Sequence, residues 1–224
     1  MEKTTCHLLT LLFMCLDVSA GAIYAADRRP NIIILMPDQM RGQAMGVAGN
    51  PNVITPNIDK LAAQGLYLPN TVANTCVCTP ARATILTGTY VHSNGAIVND
   101  LRLQESNITM AEVLAENGYS TGFIGKWHLD GGIRHPGFIP PGPRRQGFQF
   151  WAANQCNHNH FNYHYFYDTP DPIKYNEFET KPYADEAIKF IRQNKDKPFF
   201  LWWAVGPPHN PYKAPPKFEK LYNP

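Results

Sequence analysis

Apolar and polar positions along this chain switch repeatedly between two periods. Asn31-Ile32-Ile33-Ile34-Leu35-Met36 is a nearly unbroken β-branched apolar run, which predicts a central parallel strand buried on both faces. Its end delivers Asp38 to a loop, where open α/β sheets bind their ligands. Thr55-Pro56 then opens a helix that runs through Leu61-Ala62-Ala63 and stops at Gly65, with cap residue, first-turn proline and terminating glycine in order. Thr109-Met110-Ala111-Glu112 spells a capping box for another helix, which ends at Gly118. Tyr119 to Ile124 reads as a strand, Tyr183 to Gln193 as an amphipathic helix and Phe199 to Val205 as a buried strand. Strands alternating with helices predict an α/β fold with a mostly parallel central sheet flanked by helices. Pro136 to Gln146, rich in Pro, Gly and Arg, reads as a surface excursion rather than a linker.

Composition changes this picture little. With 44% hydrophobic and 12% aromatic residues the chain can build a substantial core, and at 224 residues it is one large domain or two small ones. Twenty Lys+Arg against eighteen Asp+Glu leave a formal charge of +2, so no broad field favours nucleic acid or a membrane surface. Residues 1 to 26 read as a secretory signal peptide: Lys3 forms the positive n-region, Leu8 to Leu16 an apolar run too short to span a bilayer, and Ala20-Gly21-Ala22 or Ala25-Ala26 the cleavage zone. The expected location of the mature chain is therefore exported, periplasmic or secreted.

The chemistry-bearing motifs come next. Cys78-Thr79-Pro80-Ala81-Arg82, followed by Ala83-Thr84-Ile85-Leu86-Thr87-Gly88, resembles the signature of type I, formylglycine-dependent sulfatases, with alanine where serine is common. Gly118 to Leu129, ending in Gly125-Lys126-Trp127-His128-Leu129, resembles the second signature of that family. Pro198-Phe199-Phe200-Leu201, leading to Pro207-Pro208-His209-Asn210-Pro211-Tyr212, resembles its later strand and P-H-x-P-Y loop. Three motifs in order carry more weight than any one of them. The resemblance spans residues 30 to 224 and implies an arylsulfatase-like member of the alkaline phosphatase superfamily, with residues 27 to 224 as the N-terminal part of its catalytic domain.

That resemblance implies specific roles. Cys78 is converted to formylglycine by a formylglycine-generating or sulfatase-maturing enzyme, and one hydroxyl of the hydrated aldehyde attacks sulfur. The other hydroxyl later expels sulfate, so one hard step becomes two. Pro80 can begin a helix, turning a helix N-terminus toward the anion. Arg82 orders the formylglycine loop with its planar fork, and Lys126 binds sulfate. His128 takes the proton of the second hydroxyl; alternation in the strand before it sets Lys126 and His128 on one side. His209 contacts a sulfate oxygen or protonates the leaving group. Asp38 is the leading metal ligand, with Gln39 where the family often has a second aspartate, and the modified Cys78 completes the visible set. The implied ion is Ca2+, with Mg2+ or Mn2+ as alternatives. The implied substrate is a sulfated small molecule or glycan. A phosphonate or phosphate ester hydrolase of the same superfamily is the alternative enzyme, and a non-catalytic sulfated-glycan binder the alternative outside enzymes.

Other residues leave choices open. After the signal peptide Cys76, Cys78 and Cys156 remain, and whether Cys76 and Cys156 pair is not decided by spacing. A C-x-C metal site at Cys76 and Cys78 lacks a second ligand pair. Cys156-Asn157-His158-Asn159-His160-Phe161, with His164, is too crowded to converge on one tetrahedral ion and reads as a polar, aromatic-rich loop bordering the substrate pocket. Tyr163, Tyr165 and Phe166 stack on a sugar face or pack in the core with equal plausibility. Because the family draws further metal ligands and a second lysine from beyond the P-H-x-P-Y loop, the segment is also expected to be part of a longer enzyme, to bind calcium weakly when expressed alone, and to lack turnover.

Overall fold

The computed structural model describes residues 29 to 222, so the expected signal peptide lies outside the described residues. Four parallel strands form the sheet: β1 (Ile32–Pro37), β2 (Ser120–Lys126), β3 (Phe150–Asn154) and β6 (Phe199–Val205), in the order β1-β6-β2-β3. A separate antiparallel ribbon pairs β4 (Tyr163–Tyr165) with β5 (Ile173–Tyr175). The helices are α1 (Pro56–Gln64), α2 (Cys78–Thr87), α3 (Val91–Asn94), α4 (Met110–Glu116), α5 (Thr180–Asn194) and α6 (Pro216–Glu219). The expected α/β class with a mostly parallel sheet is the observed one.

Both faces of β6 are buried, and its side chains divide by parity as a strand requires. Phe200 and Trp202 join Phe123, Trp127, Phe148 and Trp151 on one side, while Phe199 and Leu201 pack with Ile124, Tyr183, Ala187 and Phe190 on the other. Helix α5 covers that second face, and the fit is close: a Cβ on Gly122 would stand 2.8 Å from the Phe190 ring.

β6, not β1, is therefore the central buried strand. β1 lies at an edge with one hydrogen-bonded neighbour, and its burial alternates, leaving Ile33 and Leu35 at 50% and 52% exposure. A continuous apolar run reveals that a strand is hydrophobic but not which of its faces another element covers, and nothing among the described residues covers this one.

Two other local expectations change, while the helix stop at Gly65 holds. Thr55 precedes α1, but its hydroxyl accepts from the Gly46 N–H at 2.8 Å and donates to Asp59 at 3.0 Å instead of capping the helix. Gly65 ends α1 as read, with φ −128°. The Pro136 to Gln146 segment is not a free surface excursion, because Ile139, Arg145 and Gln146 are buried. Arg145 anchors it, donating to the Ile139 carbonyl at 2.7 Å, pairing with Asp168 at 2.5 Å and lying 4.8 Å above the Trp151 ring. Polar composition predicts exposure only for groups without partners, and this guanidinium has several. The Thr109 capping box forms as read, with the Thr109 hydroxyl accepting from the Glu112 N–H and the Glu112 carboxylate accepting from the Thr109 N–H.

Candidate active site

The carboxyl ends of the parallel strands converge at one edge of the sheet, and the predicted site residues leave from them. Asp38 follows β1 and donates its N–H to the Val205 carbonyl at the end of β6 (2.9 Å). Lys126 is the last residue of β2. His209 lies in the loop after β6, and the Cys156 to Phe161 loop follows β3. Gly125 makes this approach feasible: its φ is +104° and a Cβ there would stand 1.9 Å from the Ala204 carbonyl oxygen, so β2 can press its backbone on β6 just before Lys126.

Asp38, 3% exposed, is the electrostatic hub. It accepts from Lys126 Nζ at 2.6 Å and pairs with Arg82 Nη2 at 3.4 Å. Burial by itself would push its carboxyl up, but Arg82 and Lys126 overcome that and hold it at about 2. Arg82 stands one turn along α2 from Cys78 and donates through Nη1 to the Lys126 carbonyl. Its Nε is buried with no acceptor, an arrangement that leaves a donor ready for an anionic oxygen. Cys78 is the first residue of α2, half-buried and unpaired. The helix thus starts two residues before Pro80, which places the thiol itself in its first turn. Side-chain ligand atoms of Asp38, Cys78 and His209 all lie within 4.8 Å of one another.

His128 occupies a different corner. β2 ends at Lys126, and His128 takes φ +57°, so the strand alternation expected to set both side chains on one side does not reach it. It is held by its N–H on the Gln155 carbonyl (2.6 Å), by Thr79 Oγ1 donating to its carbonyl (2.8 Å) and by Nε2 on Asp100 (3.0 Å). Burial lowers its pKa to about 4, assisted by the charges of Lys126 and Arg82 and opposed by the Asp100 hydrogen bond. The imidazole is therefore neutral at ordinary pH, with a buried Nδ1 that has no partner and can accept a proton. Arg134 grips Asp100 through Nε at 2.9 and 3.0 Å.

Gln39 follows Asp38 with φ +60° and is exposed. Cys76 is exposed, Cys156 is buried, and both thiols are free, so the two do not pair. Tyr163, Tyr165 and Phe166 are 4%, 0% and 6% exposed; of the two readings, the packed core is the observed one.

Four residues of the site escaped the sequence motifs. His158 stacks on the His209 ring (4.3 Å between centroids, 5° between planes) and lies 3.2 Å from Lys126 Nζ, so the polar loop after β3 does border the cluster. Asp100 orients His128. His160 and Glu179 form a buried pair beneath the His209 loop. The histidine-rich composition of the loop was a signal; Asp100 and Glu179 carried none, since isolated acids occur throughout the chain.

The donor set suits a hard divalent cation in part. Asp38 supplies the cluster's carboxylate, and oxidation of Cys78 would replace a soft sulfur by oxygen, which such ions prefer. Arg82 and Lys126 balance the Asp38 charge. Among the described residues no helix is long and apolar enough to cross a membrane.

Comparison with known proteins agrees with this geometry. Residues 30–223 match the family description Sulfatase. An ulvan-active sulfatase of Formosa agariphila is 39% identical over 201 residues, covering 88% of this chain. The chain spans 39% of that relative's length. A crystal structure of the yidJ protein of Bacteroides fragilis superposes with TM-score 0.82 at 29% identity, over 87% of this chain and 47% of that one. A solved protein in complex with its substrate D-glucosamine-2-N,6-O-disulfate superposes with TM-score 0.73 at 31% identity, over 88% of this chain and 39% of that one. With the motif order, the parallel sheet and the clustered site in agreement, the chain belongs to the sulfatase family.

Proposed function

We propose that this protein hydrolyses a sulfate monoester on a carbohydrate, using Cys78 oxidised to formylglycine by a maturing enzyme, a divalent cation held by Asp38, and an exported location for the mature chain. The observation that carries the reading is the convergence of Cys78, Asp38 and His209 within 4.8 Å beside Arg82 and Lys126. The carbohydrate class follows from relatives that act on ulvan or bind a glucosamine disulfate.

A sulfate ester resists attack because its oxygens repel nucleophiles and its leaving group departs as a poor alkoxide. Hydrated, the aldehyde of residue 78 would supply two hydroxyls on one carbon, one to attack sulfur and one to expel sulfate. The first turn of α2 holds residue 78 at the positive end of that helix. Lys126 and the unpartnered Nε of Arg82 neutralise the sulfate oxygens, a contribution that grows as charge develops in the transition state. Neutral His128, its Nε2 fixed by Asp100, presents Nδ1 as the base that deprotonates the second hydroxyl. His209, on its own loop, faces the same cluster and serves the leaving oxygen. A cation at Asp38, calcium being the best match to oxygen donors, would polarise the sulfate.

The test is direct. Protein produced with a formylglycine-generating partner should show, by peptide mass spectrometry, an aldehyde oxygen in place of sulfur at residue 78, and should release sulfate from an aryl or sugar sulfate. Full recovery of the residue as alkylated cysteine, with no sulfate release, would overturn the reading.

A further inference from the structure

We propose that the buried His160–Glu179 pair is a positioning dyad for the site: it sets His209, and through ring stacking His158, by holding the backbone of the loop that carries His209. This rests on the reading of the site as a sulfatase centre.

His160 and Glu179 are each 2% exposed. Their hydrogen bond, Nδ1 to Oε1, is 2.7 Å, and His160 Nε2 lies 2.8 Å from the His209 carbonyl oxygen. A carbonyl can only accept, so Nε2 must carry a proton whichever of the two partners holds the proton between them. His160 thus donates permanently to the His209 backbone while Glu179 fixes its ring.

The dyad is itself held in place. The Glu179 N–H donates to the His160 carbonyl at 2.9 Å, and Tyr163 Oη donates to the Glu179 carbonyl at 3.4 Å. On the loop side, the His209 N–H returns to the Gly206 carbonyl at 3.1 Å. Gly206 lies so close to the pair that an added Cβ would stand 2.2 Å from Glu179 Oε1 and 3.2 Å from His160 Cε1. The loop therefore rests on the dyad at two points, Gly206 and His209.

Neither residue belongs to the Asp38, Cys78 and His209 cluster, and burial of a charged or polar pair is costly unless it is fully bonded. A packed apolar pair would fill the same space at lower cost. What the polar pair adds is one directed hydrogen bond to the backbone of His209, and a misplacement of about 1 Å in a catalytic group can cost about a hundredfold in rate.

The experiment compares two variants that separate the ring nitrogens, in the matured full chain. His160→Gln can place an amide N–H where Nε2 was, keeping the donor to His209; His160→Asn reaches only as far as Nδ1 and loses it. Turnover of an aryl sulfate is measured with the His209 ring resonances by NMR of histidine-labelled protein. We expect kcat to fall about a hundredfold in His160→Asn with KM nearly unchanged, a displaced His209 resonance, and near-normal values of both in His160→Gln. Gly206→Ala, which pushes the loop off the dyad from the other side, should behave like His160→Asn and serves if that variant does not fold. Equal losses in the Gln and Asn variants, or an unmoved His209 resonance in Asn and Gly206→Ala alike, would overturn the dyad. Residue 78 recovered wholly as unmodified cysteine after co-expression with a formylglycine-generating enzyme would instead overturn the sulfatase reading, and the resonances would still decide the dyad.

Discussion

Two buried regions of this molecule sit side by side and are built on opposite principles. Around Phe123, four aromatic neighbours crowd the sheet: Trp127, Phe148, Trp151 and Trp202 have ring centroids 4.8 to 5.9 Å from Phe123, and Phe200 in turn stacks on Phe148. One residue from this core, at the end of β2, the side chains are Lys126, Asp38, Arg82 and His128, equally buried but charged or polar. In the first region burial removes apolar area from water and complementary shape completes the gain. In the second it withholds water from groups whose donors and acceptors remain partly unmatched, Arg82 Nε and His128 Nδ1 among them. The aromatic region stabilises the fold, and the polar one gives up stability by keeping those groups unmatched.

This contrast makes substitutions separable by what they change. Cys78→Ala should eliminate turnover altogether while leaving the denaturation midpoint of the chain in place, since a half-buried thiol at a helix start contributes little packing; measurable turnover in the alanine variant would sink the assignment. Phe123→Ala should do the reverse, costing about 3–5 kcal/mol of stability in chemical denaturation while the folded fraction keeps its kcat. Lys126→Ala should lower kcat/KM by an amount equivalent to about 2.7–4 kcal/mol, as for a lost oxyanion donor. Its stability should fall too, by about 3–5 kcal/mol, because the variant leaves the buried Asp38 carboxylate with Arg82 as its remaining partner; an unchanged kcat/KM would assign Lys126 to structure alone.

The pH dependence sharpens the comparison further. His128 is held near 4 in the folded chain against an ordinary value of 6.5. Between those values the unfolded chain binds a proton that the folded chain refuses, so stability should decline as pH falls from about 6.5 to about 4 and this contribution should level off below. The loss is on the order of 2–3 kcal/mol, and His128→Gln should flatten it in denaturation curves recorded at several pH values. Asp38, held at about 2 against 3.8, contributes stability above 3.8 that is lost as pH drops toward 2, so the two phases are distinguishable. The smallest effect belongs to the remote capping box: Thr109→Ala should cost about 1 kcal/mol of stability and leave kcat untouched, and a changed kcat would mean that α4 communicates with the site.

Legibility followed the length scale of the interaction. The capping box at Thr109, the strand at Phe199 to Val205 and the helix over α5 were readable because each is set by contacts within a few residues of chain. The cysteine, lysine and histidine motifs were readable because a family pattern carries them. His158 was half readable, visible as composition but not as a neighbour of Lys126, and Asp100 and Glu179 were not readable at all.

By itself, then, the sequence determined the α/β alternation and the family, and singled out Cys78, Asp38, Arg82, Lys126, His128 and His209 as candidate site residues. Only the tertiary structure decided that β6 rather than β1 is the central strand, that Arg145 anchors a buried segment, that Cys76 and Cys156 stay apart, and that His158, His160 and Glu179 surround His209. The reason is that local periodicity encodes which atoms a residue offers to its own strand or helix, whereas the site forms where separate strand ends meet. Asp38 and Lys126 bond across 88 residues of chain, and His160 reaches His209 across 49; such pairings are set by strand order and loop course, which no single segment contains.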